Sequence, residues 1–200
     1  MMKKANVSPN TRQLVQMALF VALIILLGLT PIGMIPLGFI YISLLGIPVV
    51  IGTLLLGLPC GLGLGFCFGV VSALKAFGVL GTPSTLVATL MAASPALALI
   101  MTFVPRLLVP LTTAACFRAL SPRVKTHRAV AIAAVTGSLT NTVFYLGLML
   151  LFYCVSGIDS KSVLALIGGT GLIAGTAEAI VNAVISAPVL EVLWKIQPKN

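Results

Sequence analysis

Residues 118–128 read Arg-Ala-Leu-Ser-Pro-Arg-Val-Lys-Thr-His-Arg, a basic turn set between two long apolar runs. The run before it extends from about Ala96 to Leu120, and the run after it from about Val130 to Val155. About 20 apolar residues suffice for a helix to cross the hydrocarbon core of a bilayer. The turn therefore joins two membrane spans. The rest of the chain agrees. Of its 200 residues 60% are hydrophobic and only 8% are charged, against about 25% in a typical soluble domain. A globule of this size in water would lack a charged shell, so lipid is the solvent that suits the composition. The formal net charge of +9 would suggest nucleic acid in a soluble protein. Here the positive charges lie at the ends of apolar runs, where they set orientation instead.

Working outward, the spacing predicts a single domain over residues 1–200, an all-α integral membrane protein of six transmembrane helices. A short tail, residues 1–12, precedes the first, which runs from about Leu14 to Leu29 and stops at Thr30-Pro31. The loop 31–38 follows. A second helix is expected at about Ile40–Leu58 with Pro48 inside it, and, after the short link 57–61, a third that continues to about Phe77. The looser stretch 78–95 has an apolar middle with room for a short helix. The fourth and fifth helices flank the basic turn, and the sixth spans about Val163–Trp194. With six spans, the segments around Lys3, Lys4 and Arg12, around Arg118–Arg128, and around Lys195 and Lys199 share one side. They hold nine of the 12 basic residues. Basic loops favour the cytoplasm, so both termini are expected there. The first span resembles a secretory signal in its basic start, but its apolar run is long and no small-residue cleavage pattern follows, so it reads as a retained helix.

Several chemistries find no support. Cys60, Cys67, Cys116 and Cys154 form no Cys-x-x-Cys pair, and His127 is the only histidine. A metal site or a histidine-based catalytic centre is therefore not expected. No phosphate-binding loop, Ser/His/Asp constellation or His-Glu-x-x-His motif is present. The chain reads as a non-enzyme without cofactors and without its own ATPase.

Polar residues at membrane depth are costly and call for a functional explanation. Arg106 lies in Phe103-Val104-Pro105-Arg106-Leu107-Leu108-Val109-Pro110. Its planar guanidinium matches a carboxylate in two hydrogen bonds, and the flanking prolines leave backbone carbonyls without donors. It reads either as an anion-binding residue facing the bundle interior or as an arginine that snorkels or pairs with Glu178. Asn141 and Tyr145, four apart on the fifth helix with Thr140 beside them, offer an amide and a phenol to a ligand or to a neighbouring helix. Glu178 and Asn182, also four apart, lie on the sixth. Lys75 sits near the end of the third. Small residues at a spacing of four recur as Ala18 and Ala22, as Gly61, Gly65 and Gly69, and as Gly171, Gly175, Ala179, Ala183 and Ala187. Such faces let helices approach closely in lipid. On the first helix that face is equally suited to an external partner.

Together these features resemble the substrate-binding S components of energy-coupling factor (ECF) vitamin transporters. The resemblance rests on Ala18 and Ala22 in Ala-Leu-Phe-Val-Ala, on Ile35-Pro36-Leu37-Gly38-Phe39-Ile40 with Ile47-Pro48-Val49-Val50-Ile51-Gly52, on Gly65-Phe66-Cys67-Phe68-Gly69 with Lys75-Ala76-Phe77, and on the segment around Arg106. These resemble the branch that includes pantothenate-specific members. The resemblance implies a multi-pass subunit of the bacterial cell membrane that binds a vitamin outside the cell and delivers it by toppling. It would work with a T subunit, docked on Ala18 and Ala22, and with two cytoplasmic ATPases. The implied substrate contacts are Arg106, Asn141, Tyr145, Thr140, Glu178 and Asn182, with Phe39 and its loop covering the site. Pantothenate carries one carboxylate, two hydroxyls and an amide. Folate or riboflavin would call for an aromatic stacking platform, and aromatic residues are only 6% of the chain. Thiamin would lean on Glu178, and pyridoxine stands as a further alternative. A self-sufficient secondary transporter would have to use Glu178 and Asn182 as its ion path.

Overall fold

The computed structural model describes residues 9–31, 33–37, 40–158 and 160–196. Lys3, Lys4, Gly38, Phe39, Asp159 and Lys199 lie outside the described residues. Among the described residues eight α-helices carry the fold: α1 (Pro9–Leu29), α2 (Gly46–Leu56), α3 (Leu58–Ala76), α4 (Thr85–Ala93), α5 (Pro95–Leu120), α6 (Thr126–Val155), α7 (Lys161–Leu166) and α8 (Leu172–Ile196). A π-helical turn, Ile167–Gly171, joins α7 to α8. Helices α1, α3, α5, α6 and most of α8 are long and apolar enough to cross a membrane, and α2 is a shorter apolar helix.

The expected second helix begins later than its hydrophobicity suggested. Its first residues form a strand instead, β2 (Ile40–Ser43), which pairs antiparallel with β1 (Met34–Leu37). Proline explains the late start. Pro48 lacks a backbone N–H, which costs nothing only in the first turn of a helix. It is the third residue of α2. An 11-residue helix is about 16 Å long, well short of the roughly 30 Å hydrocarbon core. Backbone polar groups at membrane depth need internal partners. Pairing within the hairpin supplies them, and Leu44 N–H closes its base by donating to Gly33 O at 2.9 Å. The all-α expectation thus holds except for this hairpin. The sixth span is likewise interrupted, by the π-helical turn, and the loose stretch 78–95 contains α4.

Other boundaries follow local chemistry. α1 ends where Pro31 disfavours helical geometry at Thr30, and the Thr30 hydroxyl donates to Leu27 O at 3.2 Å. α2 and α3 meet at Gly57, whose φ of 92° suits glycine and few other residues. α3 and α5 run antiparallel in close contact: a Cβ on Gly65 would stand 2.7 Å from Arg106 O, and one on Gly69 2.6 Å from the Phe103 ring.

The basic segments converge at one end of the bundle. The Phe117 and Trp194 rings are 5.9 Å apart and His127 Nδ1 lies 3.0 Å from Glu191 Oε1. The end of α5, the start of α6 and the end of α8 therefore meet. The start of α1 lies against the α2–α3 junction, where Gln13 donates to Leu56 O. The apolar core of this half packs Ile24, Leu64, Phe68, Val109, Val130 and Leu190. A second core, with Leu90, Met101, Met149, Phe152 and Tyr153, fills the opposite half. There Tyr153 donates to Leu86 O at 2.6 Å and ties α4 to α6.

Candidate functional site

In the half away from the basic end, α3, α5, α6 and α8 part around a cavity of about 100 Å³. Ser43, at the end of the hairpin, and Ser84, just before α4, also reach it. Its polar wall is formed by Ser43, Ser72, Lys75, Thr102, Arg106, Asn141, Thr142, Tyr145 and Glu178. Gly171, Ala174 and Gly175 line the α8 side. Gly175 also closes α8 onto α6, where a Cβ would stand 2.6 Å from Thr142, just as Gly65 and Gly69 close α3 onto α5.

Arg106 is buried, and its pose starts from the neighbouring proline. Pro105 has no N–H for the carbonyl four residues earlier, that of Met101. Arg106 Nη1 donates to this freed carbonyl at 3.2 Å. The guanidinium carbon lies 4.6 Å from the centroid of the Tyr145 ring and 5.3 Å from that of Phe68, both within cation–π range. Pro110 frees the Arg106 carbonyl in the same way, and Gly65 of α3 packs against that oxygen. Two prolines and a glycine thus fix the height and direction of one arginine. Its Nε has no protein acceptor.

Glu178 faces the same cavity from α8 and is also buried. No salt bridge joins it to Arg106. Its Oε2 accepts the Ser43 N–H at 3.4 Å and its Oε1 the Ser138 hydroxyl at 3.5 Å. Asn182, one turn along α8, supports this arrangement from behind. Its Nδ2 donates to Ser138 Oγ at 3.4 Å and to Glu178 O at 3.1 Å. Asn182 is buried beside Gly46 of α2 and does not reach the cavity wall.

The residues singled out in the sequence separate into groups. Arg106, Asn141, Tyr145 and Glu178 come together on one cavity. Thr140 does not join them: it lies on another face of α6 and its hydroxyl donates to Thr136 O at 2.7 Å. Asn182 stands one layer behind, and Phe39 is outside the described residues. Lys75 is on the wall as well. Ser43, Ser72 and Thr102 were missed. Ser72 stood out as a hydroxyl in an apolar run three residues before Lys75, whereas nothing local marks Ser43, which is carried in by the hairpin.

Four buried polar atoms on this wall lack protein partners: Ser43 Oγ, Ser72 Oγ, Arg106 Nε and Asn141 Oδ1. Buried polar atoms are almost always hydrogen-bonded, so a group of orphans around one cavity points to a polar ligand. That set asks for an acceptor at Arg106 and a donor at Asn141. Ala18 and Ala22 are far from it in character, exposed on α1 among Leu14, Val15, Leu19 and Leu26. Among the described residues, no group of three or more His, Cys, Asp or Glu side chains is placed to hold a metal ion.

No curated protein matches the chain. A family profile described as ECF transporter, substrate-specific component, matches residues 12–190. That match takes in most of the chain and the whole cavity wall, so the chain belongs to the family of substrate-specific components of ECF transporters, multi-pass membrane subunits of a transporter rather than enzymes.

Proposed function

We propose that the cavity binds pantothenate and that Arg106 holds its carboxylate. The observation that carries this is the buried guanidinium with an orphaned Nε, fixed by Met101 O and two aromatic rings and turned to a cavity. A carboxylate arriving there replaces its hydration with charge-assisted hydrogen bonds in a low-dielectric site. The hydroxyl and amide groups of pantothenate then meet Asn141, Glu178 and the serines. Tyr145 is committed to Arg106 through its ring, so the described residues of the wall offer no free aromatic platform for a flavin or a pterin.

Orientation follows from charge. The basic end belongs in the cytoplasm, which turns the cavity outward, where a scarce vitamin is captured. Delivery needs energy from elsewhere. On this reading Ala18 and Ala22 of α1 dock on a T subunit that carries two ATPases, and the loaded subunit topples to release its ligand inside. The exposure of that whole α1 face supports the assignment, because small residues let a partner helix approach closely.

The test is calorimetric titration of the detergent-solubilised protein with a vitamin panel of pantothenate, riboflavin, folate, pyridoxine and thiamin, repeated on Arg106→Ala. Tight pantothenate binding lost in the variant is the expected result. Binding of a different vitamin overturns the substrate and keeps the family. Uptake driven by an ion gradient without any partner overturns the ATPase-coupled mechanism.

A further inference from the structure

We infer that Glu178 makes this cavity selective for ligands with a single anionic end, rejecting those that carry a second negative group at the end away from Arg106. The inference rests on the pantothenate reading and deepens it to a rule about which derivatives are excluded.

No salt bridge joins the two groups, and each has its own anchors. Arg106 is anchored within α5 and between two rings, whereas Glu178 is anchored by Ser43 and Ser138. The cavity therefore presents the Arg106 guanidinium from its α5 wall and the Glu178 carboxyl from its α8 wall.

The hydrogen-bond directions around Glu178 sharpen this. Ser43 N–H can only donate. Asn182 Nδ2 donates to Ser138 Oγ, which leaves the Ser138 proton to point at Glu178 Oε1. Both carboxylate oxygens therefore act as acceptors. Asn141 Oδ1, on the same wall and without a partner, is another acceptor. A ligand hydroxyl or amide N–H satisfies this end. A phosphate or second carboxylate brings mainly acceptors and a like charge. Like charges brought together in a desolvated site are strongly unfavourable. Lys75 is the other cation on the wall. It sits on α3, one turn beyond Ser72.

The experiment uses pantothenate, 4′-phosphopantothenate and 4′-O-acetylpantothenate, the last adding neutral bulk at the same hydroxyl. Each is titrated into wild-type protein and Glu178→Gln in detergent. Wild-type protein is expected to bind pantothenate at least ~100-fold more tightly than the phosphate, with the acetyl derivative between them. In Glu178→Gln the gap to the phosphate narrows by about tenfold or more, while the ratio of pantothenate to acetyl derivative stays the same. Three results overturn the inference: equal wild-type binding of pantothenate and its phosphate, an unchanged gap in the variant, or equal exclusion of the acetyl and phosphate derivatives by wild type, which would make bulk the cause. If Glu178→Gln fails to fold, the wild-type comparison of acetyl and phosphate derivatives decides by itself. Absence of pantothenate binding to wild type overturns the substrate reading and this inference with it. Pantothenate binding with unaltered selection overturns the inference alone.

Discussion

Helices α1 and α5 are both apolar enough to span a membrane, yet they meet their surroundings in opposite ways. Only 17% of the most apolar window of α1 is buried within the protein, against 44% for α5. α5 carries Arg106 and two internal prolines, and spends its irregularities on holding one charged side chain against a cavity. α1 has neither an internal proline nor a charged group in its middle, and leaves a smooth apolar face with Ala18 and Ala22 open. In lipid the hydrophobic effect does not distinguish inside from outside. What separates the two helices is therefore polar chemistry and side-chain size. A helix that builds a binding site must be packed on several sides, and a helix that offers a docking face must not be.

The largest effect should come from breaking the α5 side. Arg106→Ala removes the only buried guanidinium on the wall and is expected to weaken pantothenate binding at least ~100-fold, about 3 kcal/mol or more, by calorimetry. Uptake should fall with it. The α1 side should break differently. Replacing both Ala18 and Ala22 by leucine is expected to leave pantothenate affinity in detergent unchanged within about twofold, and to lower ATP-driven uptake by the assembled transporter by about tenfold or more. Lost binding in that double variant would undo the division of labour between the helices.

Smaller effects sharpen the comparison. Gly65→Ala places a methyl group against the Arg106 carbonyl and should destabilise the protein by ~1–3 kcal/mol, read as a lower thermal midpoint in detergent, with ligand affinity falling as Arg106 is displaced. Gly147→Ala meets nothing within 4 Å and should be neutral or stabilising by up to ~1 kcal/mol through helix propensity. Smallest of all, Thr140→Ala should leave affinity within about twofold of wild type, because its hydroxyl is bonded to its own helix.

How much of this was legible beforehand differs between fold and site. The spans containing α1, α3, α5 and α6 were readable because lipid imposes long unbroken apolar runs. The grouping of the basic segments was readable because charge at the ends of spans sets their side. The late start of α2 was hidden, since β2 is as apolar as a helix and only Pro48 hinted at the change. The π-helical turn lay inside a run with no polar interruption. At the site, Arg106, Asn141, Tyr145 and Glu178 could be named because each is an isolated polar group in an apolar run. Thr140, next to Asn141, and Asn182, four residues from Glu178, were grouped with them. The rotation of α6 turns Thr140 to another face, and the turn of α8 that carries Asn182 lies one layer too deep.

The sequence by itself determined that this chain lives in lipid, where its long apolar helices lie, and which few residues are too polar to be there without a reason. Those properties depend on composition and on distance along the chain, which lipid reads directly. Only the tertiary structure decided that Arg106 and Glu178 share a cavity without pairing, that Ser43 arrives on a hairpin to hold the carboxylate, and that Pro105 frees the carbonyl that anchors the arginine. These depend on the rotation and depth of each helix, which close packing of small residues between helices sets and which no single segment encodes.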